Sequence, residues 1–198
     1  MGYLVSIHLT TQQPDAAVLR SLLPSSIGFA IYRHNDLNLF GIDTFKASKP
    51  PSYPFATATP ATDLPLELGP HLHSLSDMYE VARVSGSANG IKRSYINLAE
   101  LLSDGLGQPV LSIFSDDDGS DFACLAKAGR VSSVLAACDN NLVSLTNGET
   151  TVAPIDGEPA LHSNAVRLFE HFTGAEAQTI GLGSWDPPAD FGFTRVGT

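Results

Sequence analysis

Basic residues are scarce in this sequence, and their scarcity limits what the protein can bind. The chain has 11 Lys or Arg residues against 21 Asp or Glu residues, which gives a net charge of −10. Nucleic-acid binding depends on Lys and Arg that neutralise phosphates, so we expect no nucleic-acid partner. Apolar residues nevertheless make up 43% of the 198 residues, a composition typical of a folded globular chain and not of a disordered one.

Cysteines and long apolar runs are also few. The two cysteines, Cys124 and Cys138, are too few for a disulfide framework, and their apolar, strand-like surroundings predict buried free thiols. Residues 1–13 lack the basic region and long apolar core of a secretory signal. No apolar run approaches the roughly 18 residues that a membrane helix requires. These absences predict a soluble, cytoplasmic chain with no membrane partner.

Recognisable catalytic and metal-binding motifs are missing. An EF-hand loop with Gly119 in sixth place would begin at Phe114 and end at Leu125, and neither side chain ligates calcium. A loop that began at Asp116 would end at Lys127, which fails for the same reason. The sequence also lacks a Gly-x-Ser-x-Gly elbow and the spacing of a phosphate-binding loop. We therefore predict no catalytic residue, no metal and no cofactor.

Periodicity predicts an α+β fold. A β-α-β-β start is predicted from "YLVSIHL", "PDAAVLRSLLP", "IGFAIYRH" and "LNLFGID". From residue 109 the period becomes two, and five short apolar runs separated by turn residues predict an antiparallel meander in the C-terminal half. A few helices are expected to pack against it. Those helices are predicted within residues 71–84, 96–107 and 159–174, and the aromatic tail 181–198 is predicted to be irregular but packed.

Residues 46–70 contain six of the thirteen prolines, "KASKPPSYPFATATPATDLPLELGP". Proline removes a backbone donor and fixes φ, so this segment is predicted to be a long connection. It either joins two lobes, 1–45 and 71–198, or wraps the surface of one domain with Tyr53 and Phe55 as anchors. We expect a single domain over 1–198.

Charge is divided unequally along the chain. Residues 1–99 balance 7 acids with 7 basic residues, whereas residues 100–190 hold 14 acids against three basic residues. Within the acidic half, "FSDDDGSDFA" (114–123) crowds four aspartates around Gly119. The residue types predict a hairpin tip, in which Gly119 supplies a positive φ and the carboxylates discourage edge pairing. The same acidic tip is also suited to docking on a basic protein.

The acidic, motif-free character of residues 100–190 resembles the immunity proteins of bacterial polymorphic toxin systems. That resemblance implies a cytoplasmic inhibitor that neutralises a basic cognate toxin by direct binding. The resemblance is one of general character, and it assigns no site residues of that family to this chain. On this hypothesis the partner-contacting residues are Asp116, Asp117, Asp118, Asp121, Asp156 and Glu158.

Two other classes of function stay open. An enzyme, for example a hydrolase or transferase, would use the proline-rich loop with Tyr53 as a lid and His71 and His73 as acid–base groups. A structural or assembly protein, for example a homo-oligomer, would extend the same loop to a neighbouring copy. The sequence favours the binding protein over both.

Overall fold

The computed structural model describes residues 4–48, 50, 55, 98–116, 121–138, 141–146, 149–154, 168–176 and 190–198. Their strands form one antiparallel sheet of nine strands, in the order β8-β7-β6-β5-β4-β1-β3-β2-β9. The strands are Leu4–Thr10 (β1), Ile27–His34 (β2), Phe40–Lys46 (β3), Val110–Asp116 (β4), Asp121–Lys127 (β5), Arg130–Cys138 (β6), Asn141–Thr146 (β7), Glu149–Pro154 (β8) and Phe193–Gly197 (β9). The helical residues are Ala16–Leu22 (α1), 98–105 (α2) and 168–173 (α3).

This arrangement confirms the predicted α+β class. The chain begins β1-α1-β2-β3, and the five strands from β4 to β8 are neighbours in sequence order, which is the predicted meander. Strand β1 is central, because it pairs with β3 on one side and with β4 on the other. The N-terminal strands and the meander therefore share one sheet. The predicted helix at 71–84 lies outside the described residues.

Helix boundaries follow local chemistry, with two small corrections. The Asp15 side chain accepts a hydrogen bond from the Ala17 backbone N–H at 2.7 Å, which makes Asp15 the N-cap of α1. Pro14, which the sequence predicts in the first turn of this helix, therefore precedes the cap instead. Gly105, expected beyond the end of α2, is its last helical residue. Gly107 has φ of 63° and provides the left-handed conformation that commonly follows a helix.

The tail prediction needs a larger correction. Phe193–Gly197, predicted to be irregular, forms β9 and pairs antiparallel with β2. Its partner lies some 160 residues earlier in the chain, as the pairing of His34 with Phe193 shows, so no local pattern marks the strand. The expectation that the tail packs against the core is confirmed, because Phe191 and Phe193 are buried.

The sheet buries apolar side chains on both faces. One face, called here the α1–α2 face, packs against the first two helices through Leu19, Leu23, Phe29, Ile31, Ile42, Leu98, Leu102 and Val110. The opposite face, called the α3 face, includes side chains of α3 and Phe55 together with Ile7, Leu9, Ala30, Tyr32, Leu111, Ile113, Phe191 and Phe193. Among the described residues, none of the helices is long and apolar enough to span a membrane.

Candidate functional site

Two of the six predicted contact residues, Asp116 and Asp121, lie at one end of the meander. Asp116 is the last residue of β4 and Asp121 is the first residue of β5, and the two antiparallel strands pair Ser115 with Asp121. The acidic stretch thus joins consecutive neighbours of the sheet. The other four predicted contact residues fall outside the described residues, namely Asp117, Asp118, Asp156 and Glu158.

Strand direction determines which charges share that end. Because neighbouring meander strands are antiparallel, β4, β6 and β8 end where β5 and β7 begin. The end that contains Asp116 and Asp121 is called here the acidic end. Lys127 and Arg130, both exposed, flank the β5–β6 turn at the opposite end. Lys46, the last residue of β3, is at the same sheet end as Asp116 but two strands away from β4.

A buried polar row crosses the α1–α2 face. His8 Nδ1 and Ser112 Oγ are 2.6 Å apart, and His8 Nε2 lies 3.3 Å from Thr44 Oγ1. The register places Ser112 opposite both His8 on β1 and Cys124 on β5. Four adjacent strands, β3, β1, β4 and β5, are therefore linked by side chains that are all buried.

The Ser112–His8 distance is typical of a nucleophile and its base, but the environment is not catalytic. Both side chains are fully buried beneath the helices. Burial lowers the pKa of His8 from 6.5 to about 3, so the imidazole is neutral at physiological pH. Burial and the Glu100 charge raise the pKa of the Cys124 thiol, although hydrogen bonds with Ser112 act in the opposite direction. The row satisfies buried polar groups and fixes strand register.

Helix α2 is attached to the same face through two polar side chains. Glu100 Oε1 accepts a hydrogen bond from the Val131 backbone N–H at 2.9 Å, and Ser103 Oγ accepts one from the Gly129 N–H at 3.0 Å. Ala128 and Gly129 form the β5–β6 turn with φ of 48° and 72°. The hydrogen bonds from this turn to Glu100 and Ser103 thereby hold it against α2.

A second buried polar group lies on the α3 face. Asp43, on β3, is fully buried, and its Oδ2 accepts a hydrogen bond from the Phe55 backbone N–H at 3.1 Å. Its Oδ1 has no hydrogen-bond partner in the part of the chain that the structure describes. Burial raises the pKa of Asp43 from 3.8 to about 7, although the Phe55 hydrogen bond and the Arg195 charge act in the opposite direction.

Phe55, whose backbone N–H binds this carboxyl, packs its ring on the same face of the sheet. Its ring centroid lies 4.8 Å from that of Tyr32, 5.1 Å from Phe193 and 6.2 Å from Phe191. The ring also lies over Gly41, where an added Cβ would come within 2.7 Å of it. Phe55 is therefore an anchor on the sheet, as the sequence suggested. Tyr53, predicted as the second anchor, lies outside the described residues.

The described residues contain no group of three His, Cys, Asp or Glu side chains that could hold a metal ion. His71 and His73, the acid–base candidates, lie outside the described residues. Comparison of the chain with protein-family models, curated proteins and solved structures found no match.

Sequence reasoning did not single out Asp43 or His8. Each interrupts an apolar strand, "FGIDTF" and "SIHLT", and an ionisable residue within such a run is the available signal that it is buried. The signal does not reveal the partner, because Phe55 and Ser112 are 12 and 104 residues away in the chain.

Proposed function

We propose that this protein is a binding module that docks on a basic protein through the acidic end of its meander. The observation that carries the proposal is that, among the described residues, one end of the meander strands holds acidic residues and no Lys or Arg. Asp116 and Asp121 lie at that end, whereas the basic residues of the meander, Lys127 and Arg130, lie at the other end together with Glu149. An acidic surface of this kind attracts a basic partner and raises the rate of encounter.

The separation of these charges prevents their mutual cancellation. Asp121 and Lys127 are the two ends of β5, and six residue steps at about 3.3 Å per residue place them about 20 Å apart. The Debye length at physiological ionic strength is about 8 Å. Lys127 and Arg130 therefore do little to neutralise the field that a partner meets at the acidic end.

The acidic end is wide enough to form part of a protein interface. Neighbouring strands are about 4.8 Å apart, so the ends of β4 and β8 are separated by about 19 Å. Further acids follow these strand ends directly in the sequence, with Asp139 one residue after Cys138 and Asp156 two residues after Pro154. Standard interfaces bury about 800 Å² on each partner, a patch about 28 Å across, so the strand ends would supply part of such an interface.

We further propose that binding inhibits the partner, in the manner of the immunity proteins that the acidic half resembles. The partner would then be a basic toxin within the bacterial cytoplasm, and the acidic end would cover its active site or another essential surface. An inhibitor needs a complementary surface and no catalytic group of its own. This hypothesis uses the charge distribution and assigns no role to the buried His8 row.

The test compares two variants with equal changes in net charge. The first replaces the acidic tip, Asp116, Asp117, Asp118 and Asp121, with Asn. The matched control replaces four exposed aspartates near the opposite end of the sheet, Asp15, Asp36, Asp104 and Asp190, with Asn. Tagged wild-type protein first captures partners from native lysate at low and moderate salt, and the captured protein is then purified.

Association rates with that purified protein decide the proposal. We expect the tip variant to associate at least tenfold more slowly at low salt, with a smaller difference at high salt, and the control to resemble the wild type. Co-expression should also relieve any toxicity of the captured protein. Equal rates for both variants, or capture of no basic protein, would contradict docking through the acidic end. Unrelieved toxicity would contradict inhibition alone.

A further inference from the structure

The Asp43–Phe55 contact combines three features that are individually costly. Asp43 is fully buried, and its Oδ1 lacks a hydrogen-bond partner in the described part of the chain. Its hydrogen bond comes from the backbone N–H of a residue 12 positions away. Phe55 itself has φ of 58°, a left-handed conformation that a bulky residue adopts only when its contacts hold it there.

The surroundings make this contact sensitive to protonation. Among the described residues, the charged and titratable groups that interact with Asp43 are Tyr32 on β2 and Arg195 on β9. On the same face, β1 presents apolar side chains, and the titratable residues in and just after α3, Glu170, His171 and Glu176, are exposed. Burial and the Asp43 charge raise the pKa of Tyr32, and Arg195 opposes both effects. Arg195 is exposed, so its charge is screened by solvent. The described residues thus compensate an ionised Asp43 poorly.

We propose that Asp43 and Phe55 form a proton-operated latch, which holds residue 55 on the sheet while the carboxyl is protonated and loosens when the carboxyl ionises. In the closed latch the Phe55 ring excludes water from the carboxyl. In the open latch water reaches the carboxylate and Phe55 leaves its left-handed conformation. This conformational device is distinct from the acidic end and does not depend on the proposed function.

The direction and range of the effect follow from linkage. In the closed state the pKa of Asp43 is raised to about 7, whereas a hydrated carboxyl has the ordinary pKa of 3.8. The opening constant therefore rises about tenfold per pH unit between these two values and is constant above them. The complete change is on the order of a thousandfold.

Amide hydrogen exchange measures the latch directly, because Asp43 protects the Phe55 N–H. Protection factors, corrected for intrinsic exchange, are measured by NMR on uniformly labelled protein from pH 4 to pH 8. The internal control is the Leu106 N–H, which donates to the Leu102 carbonyl on the opposite face of the sheet. Asp43→Asn is the matched variant, since Asn keeps an acceptor oxygen but does not titrate in this range.

We expect Phe55 protection to fall by up to about a thousandfold between pH 4 and pH 7 and then level off, with Leu106 unchanged. In Asp43→Asn, Phe55 protection should not vary with pH. Constant Phe55 protection in the wild type would overturn the latch. So would a parallel loss at Leu106, because the whole fold would then be responding. The wild-type comparison of these two amides decides the question even if the variant does not fold.

Discussion

Replacing Asp43 with Asn should give a protein whose stability rises from pH 4 to pH 6.5, a range over which the stability of the wild type should change little. Asp43 is fully buried, and its pKa is raised from 3.8 to about 7. The native state therefore binds more protons than the unfolded state between these values, and stability falls as pH rises through them. Asn removes that fall and keeps the oxygen that accepts the Phe55 N–H.

The magnitude follows from the shift in the pKa. A difference of about three units corresponds to about 4 kcal/mol, at 1.36 kcal/mol per unit. This value is an upper limit, because opening of the Asp43–Phe55 latch hydrates the carboxylate and limits the loss to the free energy of opening. The free energy of unfolding of Asp43→Asn minus that of the wild type should thus grow by up to about 4 kcal/mol from pH 4 to pH 7.

His8 changes stability with pH in the opposite direction from Asp43, and it determines the pH dependence that remains in Asp43→Asn. Its pKa is lowered from 6.5 to about 3, so the unfolded state binds the extra proton and stability rises with pH over that range. The full effect is about 5 kcal/mol. In the wild type the two residues largely cancel between pH 4 and pH 6.5. In Asp43→Asn the His8 effect is left unopposed, and stability should increase with pH.

Urea unfolding followed by far-UV circular dichroism, at half-unit steps from pH 4 to pH 8, measures both proteins under identical conditions. Repulsion among the other acidic residues affects the two proteins nearly equally, so it cancels in the difference. A constant difference at every pH would refute the reasoning, since a buried, titrating Asp43 requires a difference that grows and then levels off near pH 7.

Three further predictions concern packing, a turn and a thiol. Gly41→Ala should lower the free energy of unfolding by about 1–3 kcal/mol, because the new Cβ would lie 2.7 Å from the buried Phe55 ring. An unchanged free energy of unfolding in urea denaturation would place Phe55 elsewhere. Ala128→Asn should stabilise by about 0.5–1 kcal/mol, since Asn tolerates the φ of 48° better than Ala, and a lowered melting temperature would disagree. In a Cys138→Ala background, the buried Cys124 thiol should react with a thiol reagent at pH 8 only after denaturant is added, and rapid native reaction would contradict its burial.

Local patterns in the sequence were sufficient to predict most of the elements. The five meander strands alternate apolar and polar residues between turn-forming dipeptides, and such signals act over a few residues. The helix predicted within 159–174 is confirmed over its described residues, 168–173, and Gly174 follows it with φ of 71°. Strand β9 was missed because its partner β2 is distant in the chain and its five residues carry little pattern.

The candidate sites were likewise predictable from the sequence only in part. The acidic stretch could be recognised from composition, since charge is a property of residues and needs no fold. The segregation of Asp116 and Asp121 from Lys127 and Arg130 required strand direction, which the predicted meander already implied. The partner, the inhibitory role and the cytoplasmic location stay predictions.

The α+β class, the meander and the excess of negative charge in the second half followed from the sequence alone, whereas the anchoring of Phe55 was one of two alternatives that it left open. The first three features depend on periodicity, turn chemistry and composition, which act locally. Tertiary structure alone decided that Asp43 binds the Phe55 backbone N–H and that His8 joins Ser112 on the other face. Those environments arise when distant strands pair, and burial by distant residues is what moves both pKa values.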